Sequence, residues 1–225
     1  MNTELAQIDL RLDPNLWGYY RFEGNANADV GGINGTATDV SYGANYGRFG
    51  QGASFNGSSS YISLGDHFDL TGDFTISAWV KTSATDTRRA IITKAASSHY
   101  QWEFVKESTG YLAFRLFQAN GDDYCRVIGT TTTIADGKWH HVVATYKSSS
   151  PTLNTYIDGV LDKTSTATTG TYNANDTTDC CIGRRASGIG YWNGSIDDLA
   201  MFSRELNATE VKKLYDDMSK FFLMF

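Results

Sequence analysis

Two neighbouring carboxylates, Asp197-Asp198, stand inside an apolar run from Ile196 to Phe202. A buried carboxylate is costly unless it is paired, hydrogen-bonded or metal-bound. Other acidic residues come in pairs as well. A retaining glycosidase needs two carboxyls roughly 5 Å apart, which on one strand means residues two or four apart. Glu103 and Glu107 have that spacing, but Lys106 intervenes and Ser108-Thr109-Gly110 makes a turn there. Asp122-Asp123 sits beside Gly121 in a loop, and Asp158 and Asp162 flank a hairpin. All of these are expected to be solvated loop charges. The histidines at 67, 99, 140 and 141 form no Ser/His/Asp or Cys/His order, and no Cys/His spacing suggests zinc. The glycines lie between strands with no helix following, so no phosphate loop is expected. The chain is therefore expected to be non-enzymatic.

Binding chemistry has better candidates. Sugars are held by aromatic faces, with Asn, Asp, Arg or Gln bonding the hydroxyls. Tyr191-Trp192 follows a flexible turn, Ala186-Ser187-Gly188-Ile189-Gly190, with Arg184 and Arg185 close by in sequence. Those arginines can bond hydroxyls, carboxylates or sulfates. The loops Thr82 to Arg89 and Ala96 to Tyr100 offer a rim with Arg88, Arg89 and His99. Tyr191, Trp192, Arg184, Arg185, Arg88 and His99 are thus the candidate ligand residues, with Tyr191 expected to be exposed. A solvated loop is the alternative for each of them.

These side chains must be positioned by strands. Short runs of period two recur about every ten residues, broken by turns, which is the pattern of an all-β sandwich. Phe74, Ile76, Ala78 and Val80 alternate cleanly on one face. In Tyr100 to Phe104, Tyr100, Trp102 and Phe104 share a core face, and Gln101 and Glu103 take the other. Further strands are expected at Leu16 to Phe22, Tyr61 to Leu64, Ala90 to Thr93, Tyr100 to Lys106, Leu112 to Gln118, Tyr124 to Gly129, Trp139 to Tyr146, Asn154 to Ile157 and Cys180 to Gly183. Gly24 to Asn45 reads as a polar excursion. Asp158-Gly159 is a hairpin turn signal. Helical period begins only after Asn207, where Asn207-Ala208-Thr209-Glu210 forms a capping box ahead of Val211, Leu214 and Tyr215.

Size and composition bound the rest. The chain has 225 residues, with 41% hydrophobic and 20% charged, enough for one large domain with a real core. The net charge is −6 and no Lys/Arg stripe is present, which argues against nucleic acid. Three cysteines, 125, 180 and 181, leave one without an intrachain partner. Free buried thiols are expected; a bridge from Cys125 to one of the other two is the alternative. Residues 1–15 are expected to be an extension, 16–218 the domain and 219–225 an apolar tail. Met1 to Leu12 is mixed and polar, unlike a secretory signal. Phe221 to Phe225 is too short to span a bilayer. It is expected to dock on the sandwich or to be a truncation edge, or else to make an oligomer or partner contact.

In order along the chain stand Tyr20-Arg21-Phe22-Glu23-Gly24, Gly52-Ala53-Ser54-Phe55-Asn56-Gly57, Tyr61-Ile62 and Phe74 to Val80. Then come Trp139-His140-His141-Val142-Val143-Ala144-Thr145-Tyr146, Tyr156-Ile157-Asp158-Gly159, Ile182-Gly183-Arg184, Asn193-Gly194-Ser195-Ile196-Asp197-Asp198 and Phe202 to Leu206. With these the chain resembles the laminin-G-like, concanavalin A-like jelly-roll family, in its bacterial or viral LamG-like branch.

The resemblance implies a jelly-roll sandwich of two antiparallel sheets with a short C-terminal helix. It implies a structural calcium ion at Asp197, with Glu23 and Asn25 contributing from the segment after the first strand. Calcium takes hard oxygen ligands at such a rim. The other reading is that Asp197 accepts backbone hydrogen bonds that tie the termini together, and Asp198 is expected to face solvent or pair with an arginine. His140 and His141 take packing and hydrogen-bonding roles in the family, and Trp192 stands where the family often packs an aromatic. The family's hydrolase pattern, Glu-x-Asp-x-x-Glu, is absent. Two functions follow as expectations. One is a calcium-stabilised, non-catalytic carbohydrate-binding or adhesion module, extracellular or surface-displayed. The other is a structural or protein-interaction module of a virion or cell-surface assembly.

Overall fold

The computed structural model describes residues 12–96, 99–167, 170–173 and 177–220, without the side chains of 131, 132 and 218–220. The expected tail at 221–225 and the first eleven residues of the expected extension lie outside the described residues. Among the described residues, fifteen strands, one α-helix and a short 3-10 turn at Ala44–Tyr46 form. They are β1 (Leu16–Tyr20), β2 (Thr36–Thr38), β3 (Ser41–Gly43), β4 (Gly52–Asn56), β5 (Tyr61–Ser63), β6 (Phe74–Lys81), β7 (Arg89–Ala95) and β8 (Tyr100–Lys106). Next come β9 (Tyr111–Phe117), β10 (Asp123–Thr133), β11 (Trp139–Lys147), β12 (Thr152–Ile157), β13 (Val160–Thr166), β14 (Cys180–Ile182), β15 (Asn193–Phe202) and α1 (Ala208–Lys220).

The strands make two antiparallel sheets, as expected. Sheet I runs β13-β12-β11-β6-β15-β4-β3, with β1 also paired to β15, from Leu16 opposite Phe202 to Tyr20 opposite Leu199. Sheet II runs β10-β9-β8-β7-β14-β5-β2. Their inward residues, among them Ile76, Val80, Trp102, Phe104, Phe114 and Trp192, form the main core. β2 and β3 arise inside the stretch read as a polar excursion. Both are three residues long, too short for an apolar alternation to announce them.

Local chemistry explains the elements that were legible. Asp158 and Gly159 both adopt left-handed φ, 52° and 76°, and close β12 onto β13 in a two-residue turn. Asn207 Oδ1 accepts the N–H groups of Thr209 and Glu210, while Glu210 accepts the N–H of Asn207 at 2.8 Å, completing the capping box. Helix α1 then packs Val211 and Leu214 on the outer side of sheet I, against Leu16, Tyr19, Val143, Tyr156, Ala200 and Phe202. Thus β6 is buried on both faces from Phe74 to Val80. All three cysteines are free and buried.

Candidate functional site

Sheet I is covered on its outer side by α1, so the accessible chemistry gathers on the outward face of sheet II. There the alternation of β8 places Glu103 opposite Thr93 on β7 and Arg115 on β9. Beside them, Ala90, Val105 and Ala113 form a small apolar cluster. Glu103 is fully buried, and Glu107 nearly so, by guanidiniums laid over them. Arg185 meets Glu103; Arg88 lies 3.6 Å from Glu103 and 3.1 Å from Glu107; Arg115 lies 2.6 Å from Glu107. These carboxylates are therefore not the solvated loop charges expected. The Arg88 and Arg185 that cover Glu103 lie outside its strand, which is why local sequence did not reveal its burial.

The segment joining β14 to β15 forms the other wall. Gly183, Gly188 and Gly190 take positive φ and let the chain fold back over β7. Gly183 N–H donates to Ile91, Ala186 N–H to Ala95, and Gly190 accepts from Ala90. The Arg184 guanidinium lies 3.3 Å from the Tyr61 ring centre and 3.5 Å from the Tyr191 hydroxyl. Ile189, at the tip, is 52% exposed. The structure thus brings together Arg88, Arg184, Arg185 and Tyr191, with Tyr191 half-buried rather than fully exposed. It adds Tyr61, Glu103, Glu107 and Arg115, which the sequence reading did not propose as ligand residues. His99 is exposed just before β8, beside Tyr100, whose ring lies 6.0 Å from the Arg185 guanidinium. Trp192 is excluded as a ligand residue. One position beyond Tyr191 it turns inward, is fully buried, and donates its Nε1–H to Ser195 at 3.3 Å.

The Asp197 corner is a second place where charge is buried. Asp197 Oδ2 accepts the N–H groups of Arg48 at 2.7 Å and Phe49 at 3.0 Å, and Oδ1 accepts that of Asp198 at 2.9 Å. Glu23 accepts the N–H of Gln51, and Asn25 Oδ1 that of Asn27. Donors converging on carboxylates are the reverse of what a cation needs. Among the described residues no three His, Cys, Asp or Glu side chains are grouped to hold a metal. As arranged, Asp197, Glu23 and Asn25 do not fit calcium; the tie between the final strand and the 48–51 segment fits.

Asp198 does not face solvent or pair with an arginine, as had been expected. A bulge between Asp197 and Ala200, with Asp198 at φ 45°, turns its carboxyl to the outer side of sheet I, where the Tyr19 hydroxyl donates to it. Burial pushes both carboxyls up from the usual range, against the pull of their hydrogen-bond donors.

Ser77 and His141 hold a 2.8 Å contact on the outer side of sheet I. Both are buried beneath α1, where Tyr215 stacks 5.7 Å from Trp79, so no substrate reaches them. Burial lowers the His141 pKa to about 4. His140 is held between Asp158 at 2.8 Å and Asp136 at 3.1 Å, and its pKa is raised, above all by the bond to Asp158.

The Laminin_G_3 family, described as the concanavalin A-like lectin/glucanases superfamily, matches residues 56–212. The chain belongs to this superfamily. No curated protein matches it by sequence. Solved structures similar to this superfamily member include the binding domain of Paraclostridial Mosquitocidal Protein 1, with TM-score 0.71, 19% identity, and coverage of 91% of this chain and 52% of that one. The botulinum neurotoxin type G receptor binding domain has TM-score 0.68, 20% identity, and coverage of 91% and 51%. Domain 4 of AbnA, an extracellular GH43 arabinanase from Geobacillus stearothermophilus, in complex with arabinotriose, has TM-score 0.69, 21% identity, and coverage of 89% and 98%. The chain spans about half the length of the toxin domains it matches. At these identities the likeness is one of fold. No helix among the described residues is long and apolar enough to cross a membrane.

Proposed function

We propose that the chain is a non-catalytic carbohydrate-binding module, extracellular or surface-displayed, that grips a glycan with the outward face of sheet II. One observation carries this reading: Arg88, Arg184, Arg185 and Arg115 converge with Tyr61 and Tyr191 beside the exposed Ile189. Guanidiniums supply donors for sugar oxygens, and the tyrosines and Ile189 supply apolar surface for ring C–H groups. The similar binding domains, one with arabinotriose bound, lend support at the level of fold. Glycosidic chemistry does not suit the site, because Glu103 and Glu107 are each already engaged by two guanidiniums.

The test is a glycan array with and without EDTA, repeated on Tyr191→Ala. Binding by the parent and loss in the variant, with an unchanged melting curve, is the expected result. Silence across the array, or turnover of any polysaccharide, overturns it.

A second reading is a structural or protein-interaction module of a virion or cell-surface assembly. Val160 and Leu161, 63% and 50% exposed on the edge strand β13, favour it, since unpaired edges with apolar side chains invite protein contact. A multimeric elution volume that becomes monomeric in a Val160→Lys/Leu161→Lys variant would support this reading.

A further inference from the structure

We propose that the ligand is an anionic saccharide whose carboxylate or sulfate is taken by Arg184; this rests on the glycan-binding reading and names the ligand class for it. Three of the four guanidiniums on this face already meet a carboxylate: Arg185 with Glu103, Arg88 with Glu103 and Glu107, and Arg115 with Glu107. Arg184 meets none among the described residues. Its partners are the Tyr61 ring, the Tyr191 hydroxyl and the Cys181 thiol, and its buried Nε–H has no hydrogen-bond partner. Four guanidiniums against two carboxylates leave this patch net positive. The chain as a whole carries −6, so the patch is a local exception.

Geometry narrows the ligand further. A guanidinium laid on a tyrosine face keeps its edge free, and that planar fork matches the paired oxygens of a carboxylate or sulfate. A partly desolvated cation without a counter-ion is unfavourable, and an incoming anion relieves that. A neutral sugar relieves much less of it. The wall bearing Arg184 is also fixed in advance, which lowers the ordering cost of binding. Thr93 donates its hydroxyl to the Arg184 carbonyl at 3.1 Å, and Arg89 donates to the Tyr191 carbonyl at 2.6 Å.

The experiment is titration calorimetry of the full chain with three probes: an oligogalacturonate, a heparin oligosaccharide and a neutral xylo-oligosaccharide. We expect at least one acidic probe to bind about tenfold or more tighter than the neutral one. That binding should weaken steeply between ~50 and ~500 mM NaCl. Arg184→Gln should weaken both probes, and the acidic one by about tenfold more than the neutral one. Tyr191→Phe, which removes a single hydroxyl and leaves the packing intact, should cost the acidic probe a smaller factor if Arg184→Gln proves unstable. The two acidic arms distinguish a uronate from a sulfate. Equal affinity for neutral and acidic probes, or binding indifferent to salt, overturns the anionic assignment and leaves the glycan reading standing. No heat with any probe overturns both.

Discussion

Arg89 donates from Nη1 to the main-chain carbonyl of Tyr191 at 2.6 Å. The same guanidinium is gripped by Asp86 and also reaches the carbonyl of Gly57. A nearly buried side chain on β7 thereby fixes the backbone of the residue that presents its hydroxyl to Arg184. Arg89→Lys keeps a charge but loses the fork, and we expect a loss of about 2 kcal/mol in urea unfolding. Glycan affinity should fall with it, while Arg89→Ala should fall further on both measures.

Asp197 accepts three backbone N–H groups, from Arg48, Phe49 and Asp198. Asp197→Ala should destabilise the fold by about 3 kcal/mol, the cost of orphaned buried donors. Because those donors already fill the carboxylate, EDTA should leave the parent melting temperature unchanged. A fall with EDTA in the parent and none in the variant would reveal a cation at this corner.

The adjacent histidines respond to pH with opposite signs. His141 is kept neutral by burial, with a pKa near 4 against 6.5 in the unfolded chain. Between those values the unfolded state binds more protons, so stability rises with pH and is lost as pH falls from 6.5 towards about 4. The full contribution is about 3 kcal/mol. His140 has a raised pKa, so its contribution is present below 6.5 and fades as pH rises through its folded value. Asp197 and Asp198, with raised values, slope the other way across pH 4 to 8, so the His141 limb should appear in the difference between the parent and His141→Gln in urea unfolding. An NMR titration showing His141 protonated above pH 6 would defeat this account.

Asn207→Ala removes two N-cap bonds from α1 and should cost about 1 kcal/mol. The readout is thermal unfolding, with exchange of the α1 amides rising first.

Local signals carried much of the fold. Alternation from Phe74 to Val80, the Asp158-Gly159 pair and the Asn207 capping box each encode their structure within a few residues, and each formed where expected. β2 and β3 did not, because three residues are too few to leave a periodic trace. The candidate site was only half legible. Arg88, Arg184, Arg185 and Tyr191 were readable as polar and aromatic residues in loops. Tyr61, Glu103, Glu107 and Arg115 lie on or beside strands, and only the sheet order of β5, β14, β7, β8 and β9 brings them to those loops. Asp198 was misread because it is buried against Tyr19 of β1, a strand far away in sequence.

The pairing of β1 with β15 has a mechanical consequence. Leu16, where β1 begins, stands opposite Phe202, where β15 ends, so the chain enters β1 and leaves β15 at the same end of one ladder. Once α1 lifts, tension between them would unzip that ladder rung by rung, beginning at Leu16, rather than shear all of its bonds together. Under load the domain should yield first along this seam, with sheet II the last to feel the force.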